Sequence, residues 1–490
     1  MFNPDAELAA QVFPATDRNP APAPRYNLVV IGGGTAGLVC AAGAAGLGAT
    51  VALIERRAMG GDCLNVGCVP SKALIRAANA AHAVAEAGKF GVHARIERID
   101  FAAVMARVRA VRQTISPHDS VARFASLGVD VFLGDARFVG RDVVALGDVQ
   151  LRFAGAVIAT GGRPKIPDVP GLAAANPLTN ETVFEIDTQP ERLLVLGGGP
   201  IGCELAQAFQ RLGTAVTLVQ SADQLLGREP ADDAAIVRRA LEADGVVVKV
   251  RSRVSRVEAA PRQGWHRVHI DGDVGPSITV DVDRILVAAG RLPNVEGLAL
   301  DRAGIGWSES GVTVDAHLRT SNRAVFAAGD VCLPQHFTHA ADASARAVVR
   351  NALFLGRERV AMTSIPRCTY TDPEVAQVGE VAGDGITTFE VSWADVDRAR
   401  TDGELVGGVR VYARAGKVVG GTVIGRGAGD LIGEIAVLAA RRVSLSTLAG
   451  IVHPYPTRAD AIRRTGDLYN RTRLTPTART FFDRWLAWRR

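Results

Sequence analysis

The pattern of apolar and polar positions repeats once along the chain. Residues 28–31 are entirely apolar, which predicts a buried parallel strand, and the Ala-rich segment that reaches about residue 47 predicts a helix. Residues 50–54, of which the last four are apolar, then predict a second strand. The same order returns in residues 192–219. The sequence therefore predicts two strand–turn–helix–strand units of the kind that begin doubly wound α/β domains.

Glycines stand between strand and helix in both units, in the spacing Gly-x-Gly-x-x-Gly. They are Gly32, Gly34, Gly37, Gly197, Gly199 and Gly202. This spacing permits a tight turn and lets backbone N–H groups approach a pyrophosphate at the helix N-terminus. The first unit ends on Glu55, whose carboxylate can accept hydrogen bonds from ribose hydroxyls. We therefore expect two dinucleotide sites, one for a nucleotide held permanently and one for a nucleotide that exchanges.

The second unit lacks the corresponding acid, because Gln220 follows its last strand. A carboxylate there would bind the 2′-hydroxyl of NAD and repel a 2′-phosphate. No arginine lies at positions 220–222, although Arg228 is near enough along the chain to reach such a phosphate. The sequence therefore favours NADPH and leaves NADH as the alternative.

Composition limits the class of protein. The 490 residues are enough for about three domains, and 48% hydrophobic with 22% charged residues is typical of a globular protein. No charged residue occurs between positions 27 and 54, but seven glycines interrupt this stretch, so a buried strand and helix explain it better than a membrane span. The first residues lack the basic and apolar segments of a signal peptide, and we expect a cytoplasmic protein.

Two cysteines occur close together in residues 60–72, which read Gly-Gly-Asp-Cys-Leu-Asn-Val-Gly-Cys-Val-Pro-Ser-Lys. Cys63 and Cys68 lie in a segment that can bend enough to bring their sulfurs to bonding distance. The residues after Cys68 predict a helix with Pro70 in its first turn, and the helix dipole there favours a thiolate. Such a dithiol can accept and pass on an electron pair. For the spacing alone, a buried structural pair is the alternative.

This segment resembles the active-site signature of the flavin-dependent pyridine nucleotide–disulfide oxidoreductases, and other motifs extend the resemblance over nearly the whole chain. The resemblance implies FAD and NAD(P)H as cofactors and a Cys63–Cys68 redox disulfide. Cys68 would lie against the flavin, and Cys63 would meet the substrate. Lys72 and Glu204 would form an ion pair near the flavin. Further residues at matched positions are expected in the cofactor sites: Thr35, Ala36, Arg56, Gly61, Asp62, Lys72, Thr160, Gly161, Gly290, Gly329 and Asp330.

The resemblance also implies an α/β fold with two Rossmann-like dinucleotide-binding domains and an α+β C-terminal dimerisation domain. We assign residues 1–24 to a poorly ordered N-terminal arm, residues 25–161 and 291–357 to the FAD-binding domain, residues 162–290 to the NAD(P)-binding domain and residues 358–470 to the dimerisation domain. We expect a homodimer in which each active site is completed by the partner chain.

The chain departs from dihydrolipoamide dehydrogenase and glutathione reductase at the motif that holds their catalytic histidine. Tyr455 occupies the position of that histidine, and Asp460 occupies the position of its orienting glutamate. A phenol with a pKa near ~10 is a poor base at neutral pH, so turnover of dihydrolipoamide or glutathione is doubtful unless His453 takes the role. The tyrosine resembles mercuric reductase, yet residues 1–24 hold no Cys-x-x-Cys module and residues 471–490 hold no cysteine.

We therefore expect an FAD-dependent NAD(P)H oxidoreductase that passes electrons through Cys63 and Cys68 to a soft metal ion such as Hg(II) or Cu(II), or to a disulfide-type acceptor. The two thiols would be transient ligands of such an ion, and we expect no resident metal. One alternative is a dihydrolipoamide dehydrogenase-like activity or an NAD(P)H oxidase or diaphorase activity. Another, of a different class, is a membrane-docked redox sensor.

The membrane alternative depends on residues 471–490, which predict a basic aromatic C-terminal helix. This segment contains six arginines and one aspartate, which accounts for the whole formal net charge of +5. The rest of the chain is balanced in charge, so nothing indicates nucleic-acid binding. The segment also contains five large apolar residues, Phe481, Phe482, Trp485, Leu486 and Trp488. Such a helix either lies on an anionic membrane surface or packs on the dimer.

Overall fold

The structure is a computed structural model that describes residues 6–14, 19–273, 276–354, 356–361 and 364–490. Its helices are α1 (Ala6–Val12), α2 (Thr35–Gly46), α3 (Gly61–Asn65), α4 (Cys68–Glu86), α5 (Phe101–Ile115), α6 (Val121–Ser126), α7 (Pro200–Arg211), α8 (Ala231–Ala243), α9 (Thr338–Leu353), α10 (Asp397–Asp402), α11 (Ala428–Ala440), α12 (Leu445–Ala449), α13 (Asp460–Thr472) and α14 (Pro476–Trp488).

The strands are β1 (Tyr26–Ile31), β2 (Val51–Glu55), β3 (Val129–Leu133), β4 (Ala136–Gly140), β5 (Val143–Leu146), β6 (Val149–Ile158), β7 (Gly162–Pro164), β8 (Arg192–Leu196), β9 (Ala215–Val219), β10 (Val247–Lys249), β11 (Ser252–Ala259), β12 (His266–Gly272), β13 (Ile278–Val282), β14 (Arg284–Val287), β15 (Arg291–Pro293), β16 (Trp307–Ser308), β17 (Gly311–Val312), β18 (Val325–Ala327), β19 (Arg367–Thr369), β20 (Val375–Gly379), β21 (Ile386–Ser392), β22 (Gly408–Arg414) and β23 (Lys417–Ile424). The chain divides into two compact units, the first comprising Met1–Gln224 and Asp244–Val360 and the second Leu225–Ala243 and Ala361–Arg490.

The first unit contains a seven-stranded sheet in the order β3-β2-β1-β6-β5-β4, with β18 also paired to β6. Strand β1 runs parallel to β2, with Leu28 opposite Val51, and parallel to β6 on its other side. Its apolar residues 28–31 are buried, as the uncharged run predicts for a central parallel strand. The turn from β1 into α2 therefore lies at the carboxyl edge of the sheet, where doubly wound folds bind ligands.

A second parallel sheet in the same unit repeats this arrangement in the order β10-β9-β8-β14. Strand β8 pairs in parallel with β9, with Leu194 opposite Thr217, and helix α7 connects the two. The β8–α7–β9 unit thus matches the β1–α2–β2 unit, and the predicted pair of Rossmann-like units is confirmed. Three-stranded sheet β11-β12-β13 completes this part of the chain.

The expectation that residues 1–24 form a poorly ordered arm is wrong for residues 6–12, which form α1. Leu8 and Val12 lie one helical turn apart and are completely buried. The N–H of Met59 donates to the carbonyl of Val12 over 2.9 Å, which ties the helix to the rest of the first unit. A single i, i+4 apolar pair in an Ala- and Pro-rich segment is a weak helix signal.

The second unit is built on the antiparallel five-stranded sheet β19-β20-β23-β22-β21. Helices α11, α12 and α13 contribute apolar residues to the core on this sheet. Residues 225–243, which we assigned by sequence to the NAD(P)-binding domain, group with this unit. Two ion pairs hold them there: Arg367 bonds Glu229 over 2.7 Å, and Arg410 bonds the buried Asp233. The division into three domains stays a prediction.

Among the described residues, none of the helices combines the length and apolar content that crossing a bilayer requires.

Candidate active site

The two cysteines lie in consecutive helices. Cys63 is in the short helix α3, and Cys68 is the first residue of α4. Gly67 makes the tight connection, because a Cβ there would lie 2.7 Å from the carbonyl oxygen of Asp62. Both cysteines are free thiols that share a hydrogen bond. The structure therefore brings together the two sulfurs that the sequence predicts to be a redox pair.

The thiols have opposite acidities. The hydrogen bond from Cys63 lowers the pKa of Cys68 to about 6 against the effect of burial, and the hydroxyl of Thr338 and the charge of Lys72 lower it further. The same shared hydrogen bond, together with burial, raises the pKa of Cys63 far above its ordinary value. One negative charge on the pair consequently resides on Cys68, next to the N-terminus of α4.

Thr338 is a site residue that the sequence analysis missed. Its Oγ1 lies 3.1 Å from the Sγ of Cys68, although 270 positions separate the residues. Thr338 is the first residue of α9, so the start of a second helix faces the dithiol. A threonine at a helix start is common. No local pattern links it to a distant cysteine, so sequence reasoning without the fold had no signal for it.

Lys72 and Glu204 form the expected ion pair, with Nζ 2.8 Å from Oε2. Lys72 is one turn beyond Cys68 on α4, and Glu204 is on α7, where its side chain is 6% exposed. The buried carboxylate fixes the ammonium group on the helix that begins with Cys68. The pair thus joins the dithiol helix to the second dinucleotide unit.

The two glycine turns have the same geometry. Gly32 has φ +110° and a Cβ there would lie 2.3 Å from the carbonyl oxygen of Ala159. Gly197 has φ +115° and the same close approach, 2.4 Å, to Ala288. Only glycine fits either position without displacing backbone. The repeated sequence pattern therefore reflects the same packing in both places: the glycine after β1 lies against the backbone that follows β6, and the glycine after β8 lies against the backbone that follows β14.

In each strand–turn–helix–strand unit, the side chain at the end of the second strand makes the same hydrogen bond. Oε2 of Glu55 accepts from the N–H of Gly33 over 2.6 Å, and Oε1 of Gln220 accepts from the N–H of Gly198 over 3.1 Å. Glu55 also accepts from the N–H groups of Arg57 and Ala58. Burial raises the pKa of Glu55, while these N–H donors oppose the rise. Gln220 thus keeps the bond that orients the turn but brings no negative charge.

The glycine turns of the β1–α2–β2 and β8–α7–β9 units are both suited to bind the pyrophosphate of a dinucleotide. Helices α2 and α7 begin after Gly34 and Gly199, and neither cap has a side chain that bonds the first N–H groups. These two twelve-residue helices therefore present unsatisfied N–H donors to an anion. The backbone of the dithiol segment packs closely against the first of these turns: a Cβ on Gly61 would lie 2.6 Å from the Cα of Gly34.

Arg291 provides a second fit with an anionic cofactor. Its Nη2 donates to the carbonyl of Gly162 over 2.7 Å and to Asp62, and its Nε lies 3.6 Å from Oδ2 of Asp330. Within the described part of the chain, that buried Nε has no hydrogen-bond partner. Burial raises the pKa of Asp330, and Arg291 opposes the rise. Because buried donors are rarely left unused, this unsatisfied N–H is consistent with a bound acceptor group.

The remaining predicted cofactor residues are placed at turns and helix starts. Thr160 donates to the carbonyl of Asn294 over 2.7 Å and accepts from its side-chain amide, which fixes the turn beside Gly161. Arg56 is exposed beside Glu55. Arg228 is exposed in the second unit, separate from the unit that holds Gln220. Glycines with positive φ form the other turns: Gly161, Gly290 and Gly329. Thr35 and Ala36 open α2.

Tyr455 and Asp460, which occupy the positions of the catalytic histidine and its orienting glutamate, are not bonded to each other. The hydroxyl of Tyr455 donates to Oδ2 of Asp397 over 2.9 Å, and this bond raises the pKa of Tyr455. Asp460 instead accepts from Arg463, 2.8 Å away. The tyrosine is 74% exposed. Asp397 was not singled out from the sequence, because it lies 58 positions from Tyr455 and outside any motif.

His453 is held in a different way. Its Nε2 lies 2.9 Å from Oε1 of Glu434, and its Nδ1 lies 3.1 Å from the carbonyl of Ile451. Both partner atoms are oxygens, one of a carboxylate and one of a backbone carbonyl. Its side chain is only 7% exposed. A ring that is enclosed and bonded at both nitrogens is poorly suited to exchange protons with a thiol.

Within the described ranges, no three His, Cys, Asp or Glu side chains are grouped closely enough to hold a resident metal ion.

The chain belongs to the pyridine nucleotide-disulphide oxidoreductase family. Residues 26–347 match the family model with that description, and residues 365–465 match the model of the family's dimerisation domain. The chain is therefore an oxidoreductase of a family that uses FAD and NAD(P)H. Its dimerisation domain supports a homodimer.

Relatives of more than one kind are similar to the chain. A mercuric reductase of Streptomyces lividans is 34% identical over 457 residues, covering 89% of this chain and 95% of the relative. A dihydrolipoyl dehydrogenase of Thermus scotoductus is 32% identical over 455 residues, covering 90% and 97%. The crystal structure of LpdA from Mycobacterium tuberculosis is 27% identical with a TM-score of 0.81, covering 90% and 99%. Overall similarity thus does not separate the two activities.

Proposed function

We propose that the chain reduces a soft metal ion such as Hg(II) or Cu(II), or a disulfide-type acceptor, through Cys63 and Cys68 at the expense of NAD(P)H. Bound FAD would accept a hydride from the nicotinamide and supply an electron pair to the disulfide. Reduction of that disulfide breaks the S–S bond and yields the thiolate of Cys68 and the thiol of Cys63. Cys63 then contacts the acceptor, which takes two electrons from the two sulfurs: Hg(II) would become Hg(0), two Cu(II) would become two Cu(I), or a disulfide would take up protons and become two thiols. The proton of Cys63 is released, and the Cys63–Cys68 bond re-forms.

The residues at the C-terminal motif favour a metal acceptor over dihydrolipoamide. A dithiol substrate exchanging with Cys63 needs a base that can take its proton. The bond to Asp397 raises the pKa of Tyr455, and the ring of His453 is enclosed with both nitrogens bonded. A soft metal ion needs thiolate ligands instead, and two adjacent sulfurs provide them. The observation that carries this proposal is the bond from Tyr455 to Asp397, since it raises the pKa of the one side chain in the catalytic position. The relatives named mercuric reductase support the same choice.

The experiment compares acceptors with purified protein and both nicotinamides: Hg(II), Cu(II), lipoamide, glutathione disulfide and oxygen. We expect turnover with a soft metal ion and little with lipoamide. Cys63→Ser should abolish turnover with the metal and keep dye-linked diaphorase activity. Equal turnover of oxygen by the wild type and by this variant, without metal reduction, would identify an NAD(P)H oxidase instead.

We infer that the exchanging nucleotide is NADPH. Gln220 keeps the turn in place without a charge that would repel a 2′-phosphate. Arg251 is closer to Gln220 by backbone connection than Arg228 is: the N–H of Arg251 donates to the carbonyl of Ala222 over 2.8 Å, and the N–H of Ser252 donates to that of Gln220 over 3.0 Å. Arg251 is exposed and has φ +48°, a conformation rare for a residue with a side chain. This makes Arg251 a better candidate than Arg228 for the phosphate contact.

The homodimer is proposed to share its active sites, so that Tyr455 and His453 of one chain serve the thiols of the other. This proposal follows the family's dimerisation domain in residues 365–465. Mixed dimers of Cys63→Ser and Tyr455→Ala chains test it, because sharing leaves one fully intact site in each mixed dimer, whereas unshared sites would leave none. We further propose a cytoplasmic location for the enzyme.

A further inference from the structure

We propose that helix α14 docks on the surface of an anionic phospholipid bilayer. This goes beyond the reductase chemistry and does not depend on the identity of the electron acceptor. The helix begins at Pro476, whereas the region that matches the dimerisation domain ends at residue 465. The helix therefore lies outside the residues that match the dimerisation domain.

The helix exposes a continuous apolar face. None of its thirteen residues is buried. Phe481, Trp485 and Trp488 follow one another at intervals of four and three, and Phe482 and Leu486 form a parallel row. At a period of 3.6 residues these two rows lie side by side. The exposed fractions run from 47% for Trp485 and Phe482 to 76% for Trp488. A strip of this kind costs free energy while it faces water.

The aromatic rings of this face contact each other. The centroids of Phe481 and Phe482 lie 5.7 Å apart, and those of Trp485 and Trp488 lie 5.2 Å apart. The helix start is fixed independently, because Oγ1 of Thr475 accepts from the N–H of Ala478. The aromatic face is thus already formed on an ordered helix. Tryptophan rings in particular prefer the headgroup region of a bilayer, where an apolar body and a polar N–H are both satisfied.

The charge of the segment selects the kind of surface. Arginines 479, 484, 489 and 490 accompany the apolar face, and Asp483 is the only acid of the helix. Among the described residues, no ion pair involves these four arginines, so their charges are available to a partner. The sequence as a whole has a formal charge of +5, equal to the excess carried by residues 471–490. Clustered cations beside a Trp- and Phe-rich face fit anionic headgroups over acyl chains.

The test is co-sedimentation of the full-length holoprotein with vesicles of phosphatidylcholine, with and without about one quarter phosphatidylglycerol. We expect binding to the anionic vesicles that falls as salt is added, and little binding to pure phosphatidylcholine. The triple variant Phe481→Ser, Trp485→Ser, Trp488→Ser should lose at least about tenfold in affinity. The control is Trp307→Ser, which removes a tryptophan of similar exposure, 45%, from the first unit.

Three results would overturn the proposal. They are absence of wild-type binding to anionic vesicles at low salt, equal binding of the triple variant, and equal binding to vesicles without anionic lipid. Sedimentation velocity without lipid is the second measurement. If deletion of residues 476–490 converts dimers to monomers, the face covers a second copy of this chain and not a bilayer. Dye-linked NAD(P)H oxidation by the deletion variant shows separately that the reductase remains intact.

Discussion

Thr338 places its hydroxyl 3.1 Å from the sulfur of Cys68, and this contact joins the start of α9 to the start of α4. A hydroxyl that donates to a thiolate stabilises the charged form and lowers its pKa. Cys68 therefore owes its acidity to three neighbours of different kinds: a thiol, a hydroxyl and an ammonium group. Each contribution can be removed separately.

Replacing Thr338 by valine removes the hydroxyl with little change of shape. We expect the pKa of Cys68 to rise above about 6, since one hydrogen bond to a charged group is lost. The measurement is the rate of alkylation of the reduced protein by iodoacetamide as a function of pH. The wild type should gain reactivity as the pH rises through about 6. Thr338→Ser keeps the donor and should retain the wild-type profile; an unchanged profile in the valine variant would contradict the assignment.

Removing either charge of the Lys72–Glu204 ion pair should shift the pKa of Cys68, in opposite directions for the two residues. The charge of Lys72 lowers the pKa of Cys68, and that of Glu204 raises it. Lys72→Met should therefore move the alkylation profile to higher pH, and Glu204→Gln should move it to lower pH. Because the lysine is 37% exposed, solvent screens both effects and we expect shifts smaller than that of Thr338→Val. Shifts of the same sign in both variants would show that the effects are not electrostatic.

Gln220→Glu should change the nucleotide preference from NADPH to NADH. The new carboxylate keeps the acceptor for the N–H of Gly198 and adds a charge that repels a 2′-phosphate. We expect the affinity for 2′,5′-ADP to fall at least about tenfold, measured by calorimetry, while that for 5′-AMP is kept. Arg251→Ala should weaken 2′,5′-ADP alone. Equal binding of both ligands by the wild-type protein would show that the 2′-phosphate makes no favourable contact and would contradict the proposed preference for NADPH.

Tyr455→His restores the residue type of dihydrolipoamide dehydrogenase at that position. We expect lipoamide turnover to rise by about tenfold or more, because a base of suitable pKa is introduced. The gain should stay below that of a complete dyad, since Asp460 is bonded to Arg463. Tyr455→Phe is the matched control and should give no lipoamide gain. A wild-type protein that already turns over lipoamide rapidly would rule out the role given to this tyrosine.

Local patterns in the sequence predicted much of the fold. The runs of apolar residues at 28–31 and 192–196 specify buried parallel strands, and the glycine turns after them indicate that a helix begins next. The pairing of Lys72 with Glu204 was predicted from the resemblance of two motifs to the family and not from a physical argument. The helix at 6–12 was missed because two apolar residues in an Ala- and Pro-rich segment are a weak signal.

Contacts between distant residues were the part that sequence reasoning did not reach. Thr338 beside Cys68 and Asp397 beside Tyr455 each depend on how separate elements pack. The enclosed environment of His453 is of the same kind, since it is set by Glu434 on α11. Residue type and spacing give candidates for a site, whereas the partner of each candidate is decided by tertiary structure.

The central claim is that Cys63 and Cys68 store an electron pair received from the nicotinamide. Anaerobic titration of the purified yellow protein with NADPH, followed by counting of thiols in the quenched sample, tests it most directly. We predict that the wild type consumes two hydride equivalents per subunit and gains two titratable thiols, whereas Cys63→Ser consumes one and gains none. A wild type that consumes a single equivalent without new thiols would contradict the claim.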